Sequence, residues 1–174
     1  MSRTRAILVI GLLALTACGF EPLYGEKDRG AATEQMLSQI EVLPIADRLG
    51  QLVRTELTNR LNPRPAPTPL YSVSVTLTES TQGLAVRRDA SATRANLIVN
   101  ATFILSAVSG GEALLTSDIR SINGYDILTS NFATLAAEKD ARRRGARDIA
   151  DAIVDRLSIY MSRVANESPA PARQ

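Results

Sequence analysis

The chain has 174 residues, with 20 basic and 18 acidic side chains, one cysteine and no histidine. Without histidine or a second cysteine, it cannot form an internal disulfide, a zinc site of His and Cys ligands, or a nucleophilic site that depends on an imidazole base. Two of the arginines lie in the N-terminal signal described next, and the remaining 18 basic residues balance the 18 acidic ones, so we expect no nucleic-acid partner.

The first 17 residues have the pattern of an export signal. Arg3 and Arg5 precede a run of 12 small and apolar residues, 6–17, and the first acidic residue is Glu21. A membrane-spanning helix needs about 20 apolar residues, so this run is too short to remain as a permanent span. We therefore predict that residues 1–17 are a signal peptide that is removed.

The signal ends in the sequence Leu-Thr-Ala-Cys at residues 15–18, which resembles the lipobox of bacterial lipoproteins. This resemblance implies that Cys18 is acylated and becomes the new N-terminus, so that a lipid anchor holds the mature chain on a membrane. Gly19 follows the cysteine in place of an acidic residue. In such signals this feature is associated with sorting to the outer membrane.

A tether and a short strand are predicted next. Residues 18–36 follow the lipidated cysteine, and the part from Glu26 onward has no apolar period, which is typical of a tether. Over residues 37–44, Ile40 and Val42 alternate with polar side chains, a pattern that predicts a strand.

A helix is predicted over residues 45–61, because apolar side chains recur there at spacings of three and four. The prolines between Asn62 and Leu70 end it, since proline has no amide donor and biases the residue before it towards extended geometry.

Three strands follow the prolines. Residues 71–78 alternate apolar with hydroxyl side chains, and every odd position of residues 95–107 is apolar. The pair Gly110 and Gly111 is typical of a hairpin turn. Residues 112–125 are rich in strand-forming residues but alternate poorly, and we predict that they pair with the strand before them.

A long helix is predicted over residues 131–164, with an apolar stripe over five turns. Gly145 inside it indicates a bend or close packing. The tail 165–174 has no apolar period and is predicted to be disordered. The order β-α-β-β-β-α predicts an α+β fold, a two-layer sandwich in which two helices pack on one face of a four-stranded mixed sheet, in a single domain over residues 37–164.

Motifs of catalysis are missing from the sequence. It contains no G-x-S-x-G, no S-x-x-K and no glycine-rich phosphate loop, so we predict no catalytic residues, no metal and no cofactor, and we expect that the protein is not an enzyme. A hydrolase that uses carboxylates such as Asp118 or Asp126 stays open as an alternative, although no spacing supports a particular pair.

The run Cys-Gly-Phe-Glu-Pro-Leu-Tyr-Gly at residues 18–25 begins at the lipobox cysteine and is the specific part of a pattern that continues through residues 47–57, 94–97, 125, 132–133 and 141–157. In these residues the sequence resembles the LPS-assembly lipoprotein family LptE. This resemblance implies a non-enzymatic outer-membrane lipoprotein that partners and plugs the β-barrel protein LptD and assists lipopolysaccharide transport. The alternative in the same broad class is an auxiliary lipoprotein of an ABC-type lipid transport system.

Two groups of arginines are candidates for contact with lipopolysaccharide. Arg87, Arg88 and Arg94 lie in or beside a predicted loop with only Asp89 near them in the sequence, and guanidinium groups bind phosphate through two parallel hydrogen bonds. The second group is interleaved with acidic residues at i,i+4 spacing, which is typical of a solvated helix face. It comprises Arg142, Arg143, Arg144 and Arg147, with Asp140, Asp148 and Asp151.

The polar faces of two strands permit two interpretations. One consists of the hydroxyl residues 72, 74, 76 and 78, and the other of Asn96, Asn100 and Thr102. They suit a plug inside a barrel whose interior is polar, or they are ordinary positions that face solvent.

The lipid anchor gives the first testable prediction. A Cys18→Ala variant lacks the thiol that receives the acyl chains, so we expect its signal peptide to stay uncleaved and the N-terminal peptide to lack the acyl mass. Mass spectrometry of the membrane-fraction protein measures both. An identical, unacylated N-terminal peptide in the wild-type and variant proteins would contradict the prediction.

Overall fold

The computed structural model describes residues 27–61, 68–86 and 92–167. Cys18 and the rest of the signal lie outside these ranges. The helices and strands, in chain order, are α1 (Lys27–Ser38), β1 (Ile40–Val42), α2 (Asp47–Leu61), β2 (Tyr71–Val86), β3 (Ala92–Ala107), β4 (Ala113–Asp126) and α3 (Asn131–Glu167).

The four strands form one mixed sheet in the order β1-β2-β3-β4. β1 pairs in parallel with the start of β2, and the remaining pairs are antiparallel. The turn between β3 and β4 contains Gly111 with a φ of 64°, a left-handed conformation that glycine adopts without strain. The predicted α+β fold with helices against a four-stranded mixed sheet is confirmed.

One face of the sheet carries the core, and we call it the inner face. Odd-numbered residues of β2 and β3 point to it because side chains alternate along a strand. As the alternation predicted, the odd positions of β3 from Ala95 to Leu105 are all buried, with Phe103 the largest. The even-numbered residues form the opposite side, which we call the outer face.

The helices cover the inner face with apolar stripes at helical spacing. On α2 the predicted stripe is buried at Leu49, Val53, Leu57 and Leu61. On α3 the stripe runs from Ala141 to Met161. Within the described ranges, no helix combines the length and the apolar character needed to cross a bilayer.

Gly145 marks close packing of α3 against the sheet. A Cβ atom added there would lie 3.4 Å from Cγ2 of Val99 and 3.5 Å from Nδ2 of Asn123. The helix is continuous through this residue. Of the two interpretations offered by the sequence, the structure therefore supports close approach.

α1 is an element that the sequence pattern did not predict. It covers much of the segment assigned to the tether, and Met36 and Leu37 near its end pack against the core. Residues 26–36 have no apolar period, so the sequence pattern did not indicate a helix there. The predicted disordered tail begins inside α3, which continues to Glu167; the residues after it lie outside the described ranges.

Candidate functional site

The structure describes one of the three arginines predicted to contact lipopolysaccharide. Arg94 lies near the start of β3 and Arg87 and Arg88 lie outside the described residues. The Nε atom of Arg94 donates to Oδ1 of Asp126 on β4 at 3.1 Å, and both side chains are about 60% exposed. In the sequence the only acid near Arg94 is Asp89. Its partner Asp126 is 32 residues away and becomes a neighbour only because β3 and β4 pair.

The arginine-rich part of α3 is more than the solvated helix face that its spacing predicted. Arg142 reaches the sheet, where its guanidinium contacts the Glu79 carboxylate of β2 at 2.8 Å and the Glu138 carboxylate at 2.6 Å. The hydrogen bond to Glu79 is the main cause that raises the pKa of Arg142; partial burial opposes it, and the negative charges of both glutamates add to it. Arg142 thus ties α3 to β2.

Two further arginines of α3 donate hydrogen bonds to β4. Arg144 donates to the backbone carbonyl of Gly124 at 2.9 Å and to the side chain of Asn123 at 3.3 Å, and it pairs with Asp140. Arg156 donates to the backbone carbonyl of Asp118 at 2.9 Å. The predicted i,i+4 pair of Asp140 and Arg144 is confirmed. The prediction of a purely solvated face is wrong for Arg142 and Arg144, because each also bonds a strand that is distant in the sequence.

A polar group lies between β4 and α3, and Asp148 is its acceptor. Ser121 and Asn123 occupy inner-face positions of β4 and are only 6% and 8% exposed. Ser121 Oγ donates to Asp148 Oδ2 at 2.7 Å, and Asn123 Nδ2 donates to the same oxygen at 2.9 Å. The i,i+4 spacing on α3 had suggested that Asp148 pairs with Arg144. In the structure Asp148 instead bonds the side chains of β4.

The outer face is polar at most positions and is a candidate interaction surface. On β3, Thr102 donates to Asp118 of β4 at 2.6 Å, and Asn100 is exposed. An apolar spot interrupts it where Ile98 lies opposite Ile122, which is 53% exposed. The sequence assigned these strand residues to one polar side, and the structure places them opposite the core.

The carboxylates named for the alternative hydrolase are far apart. Asp118 and Asp126 lie eight residues apart on one strand, which separates them by roughly 27 Å at the usual rise per residue. Paired carboxylates of glycosidases lie about 5–9.5 Å apart. These two residues therefore do not form such a pair. Among the described residues, no group of three potential metal ligands is close enough to hold an ion.

A groove of about 670 Å³ opens on the inner face where α2 begins. It lies between the start of α2, the first third of α3 and the middle of β2. Its lining comprises Ala46, Asp47, Arg48, Leu49, Gly50, Leu52, Leu77, Glu79, Lys139, Arg142 and Arg143. No sequence pattern indicated this groove, because its walls come from three separate segments.

A family comparison identifies the class of the protein. The sequence model described as LptE, Lipopolysaccharide-assembly, matches residues 37–157, which are most of the chain. The chain belongs to the LptE lipopolysaccharide-assembly family. Membership supports a role in lipopolysaccharide assembly as a lipoprotein of the cell envelope, and LptE is a family of non-enzymatic assembly lipoproteins.

Solved structures share the fold of this chain at low sequence identity. A protein from Caulobacter crescentus CB15 has a TM-score of 0.64 and 22% identity, covering 77% of this chain and 98% of its own. Rare lipoprotein B from Shewanella oneidensis has a TM-score of 0.55 and 16% identity over 72% and 97%. Minor lipoprotein from Acinetobacter baumannii has a TM-score of 0.54 and 18% identity over 70% and 92%. No curated protein matches the chain.

The Asp148 group gives a prediction about stability. Asp148→Ala removes the acceptor shared by two buried donors, so we expect the free energy of unfolding to fall by about 1–3 kcal/mol. Asp155→Ala is the control, because Asp155 is an exposed acid of the same helix. Urea denaturation measures both. Equal stabilities of the two variants would show that Asp148 does not hold β4 on α3.

Proposed function

We propose that the protein is an outer-membrane lipoprotein that binds within the β-barrel LptD and assists lipopolysaccharide transport. The observation that supports this proposal most is the outer face, a polar side of the sheet on which none of the described helices packs. Membership of the LptE family supplies the lipopolysaccharide context. Acylation of Cys18 would hold the domain at the membrane that contains the barrel.

The chemistry of the outer face suits a barrel interior. The lumen of a transmembrane barrel is polar, so a protein that binds there must present hydrogen-bonding groups and not an apolar surface. Threonine and asparagine side chains such as Thr76, Thr78 and Asn100 are exposed on this face and offer donors and acceptors. Short side chains of this kind lose little rotamer entropy when they are buried against a partner.

The position of Arg94 supports direct contact with lipopolysaccharide. Val86 and Ala92 are paired where β2 ends and β3 begins, and Arg94, which is paired with Ala85, lies at the same end of the sheet. Arg87 and Arg88 follow Val86 in the sequence. The Arg94–Asp126 pair is exposed and therefore weak, so a phosphate can compete for the guanidinium at small cost. We assign these three arginines to the phosphates of lipid A.

The barrel partnership predicts site-specific crosslinks. A photoreactive residue in place of Asn100 on the outer face should crosslink to LptD in living cells, because this face would lie against the barrel wall. The control is the same residue in place of Asp155, which is exposed on α3 away from the outer face. Immunoblotting against LptD measures the yield, which we expect to be several-fold higher from Asn100.

Two results would contradict the barrel proposal. One is an equal or higher LptD yield from Asp155. The other is co-purification of the chain with an inner-membrane transporter as its stable partner, which would favour the auxiliary lipoprotein of an ABC-type system. Depletion of the chain should also lower the amount of folded LptD.

The phosphate contact predicts a loss of lipopolysaccharide binding. Replacing Arg87, Arg88 and Arg94 with glutamine removes three phosphate partners, and we expect about tenfold weaker binding or more. Arg163→Gln is the control, because Arg163 is an exposed arginine near the C-terminal end of α3. Binding of fluorescent lipopolysaccharide to the purified protein measures the change. An unchanged affinity in the triple variant would remove these arginines from the site.

A further inference from the structure

The two edges of the sheet differ in how their backbone groups are satisfied. Along a strand, the N–H and C=O of one residue point to the same side, and successive residues alternate. On β4 the carbonyls of Asp118 and Gly124 accept from arginines of α3, so the even-numbered residues face the edge. Arg144 and Arg156 therefore cap this edge at two places six residues apart.

Among the described residues, the opposite edge is covered only at its start. β1 has three residues, and the residues on either side of it also bond the first part of β2. The N–H of Tyr71 donates to the carbonyl of Gln39, and the carbonyl of Val73 accepts from the N–H of Leu43 at 3.0 Å. The odd-numbered residues of β2 thus face this side. β2 continues to Val86, far beyond the end of β1.

The free part of this edge, residues 75–81, we call the β2 edge. The N–H and C=O groups of Val75, Leu77, Glu79 and Thr81 point to it, and within the described ranges no hydrogen bond to these backbone groups is present on that side. Proteins usually block such edges with charge, proline or a covering element, because an unpaired edge is a template for another strand.

The groove on the inner face lies beside the β2 edge, since Leu77 and Glu79 line it. Arg48, Lys139 and Arg143 also line it, and none of them has a carboxylate partner among the described residues. Lys139 and Arg143 lie one turn apart on α3 and so face the same way. Arg142 is already paired with Glu79, and among the described residues that line the groove Asp47 is the only other acid.

We propose that the β2 edge receives an extended segment of a partner protein, which adds to the sheet as a fifth strand and carries acidic side chains towards the groove. The backbone groups give the added strand its hydrogen bonds, which is a known mode of peptide recognition. Arg48, Lys139 and Arg143 select for acidic side chains, and Leu52 and Leu77, which are only partly buried, give apolar contact beside them.

The edge chemistry favours a peptide over a lipid or a free phosphate. Each outward residue presents one donor and one acceptor, and a peptide in extended form satisfies both along its length. A phosphate accepts from N–H groups but leaves every carbonyl unpaired. The inference does not depend on the barrel proposal, because any partner with such a segment can bind the β2 edge.

Amide hydrogen exchange of the mature acylated protein in detergent tests the inference. The probe is a short peptide of alternating Glu and Val, compared with one of alternating Lys and Val. We expect the Glu peptide to slow exchange at Val75, Leu77, Glu79 and Thr81, and the Lys peptide to have a much smaller effect. The even-numbered amides of β2 should not change, because they already bond β3.

Two variants test the two parts of the interaction separately. Thr81→Pro removes one outward N–H without touching the bonds to β3, so we expect about tenfold weaker peptide binding, whereas Thr81→Ala keeps the N–H and should bind as wild type. Lys139→Glu combined with Arg143→Glu reverses two exposed charges and should abolish the preference for the Glu peptide.

The outcomes separate this inference from the proposed function. Absence of protection by the Glu peptide at saturating concentration overturns it, as does protection that is equal for both peptides or that spreads to the edge of β4. Crosslinking of Asn100 to LptD would stand in each of these cases, because that test concerns the outer face. Conversely, loss of the LptD crosslink would leave the edge protection unaffected.

Discussion

The packing of α3 on the inner face of β3 is the contact on which the rest of the structure depends. β3 is the central strand with two long neighbours, and its buried odd positions face the apolar stripe of α3. Each strand has one apolar face and each helix one apolar stripe, so packing the two against each other removes this apolar surface from water, which stabilises the fold. Because Phe103 is the largest side chain in an otherwise aliphatic core, close fit matters, and Gly145 allows α3 to approach Val99.

This one-sided packing determines what is left for function. α3 reaches past the core with arginines, which bond the backbone of β4 through Arg144 and Arg156 and the side chain of Glu79 through Arg142. Its charges therefore work as structural ties on one side of the sheet. None of the described helices covers the outer face in this way. At the edge next to β1, β2 extends well beyond the last residue of β1. The surfaces proposed for partners are those that the core does not use.

The sequence predicted the elements whose packing follows a simple period. The alternation of β3 and the stripes of α2 and α3 agree with the buried residues because each faces a single apolar neighbour. β4 alternated poorly because Ser121 and Asn123 are polar residues on the inner face, where Asp148 satisfies them. The partners of the arginines could not be read from sequence, since Arg142 and Glu79 are 63 residues apart and local spacing favoured other pairs. The lipidation of Cys18 and the roles of Arg87 and Arg88 remain predictions, because these residues lie outside the described ranges.

The central claim is that the outer face is free in the isolated chain and covered in the envelope. Maleimide labelling of an Asn100→Cys variant measures this most directly, since acylated Cys18 has no free thiol. The account predicts rapid labelling of the purified protein and slow labelling in intact outer membranes, while Asp155→Cys is labelled quickly in both. Equal labelling of Asn100→Cys in the two states would contradict it, because the polar side of the sheet would then face water wherever the protein is found.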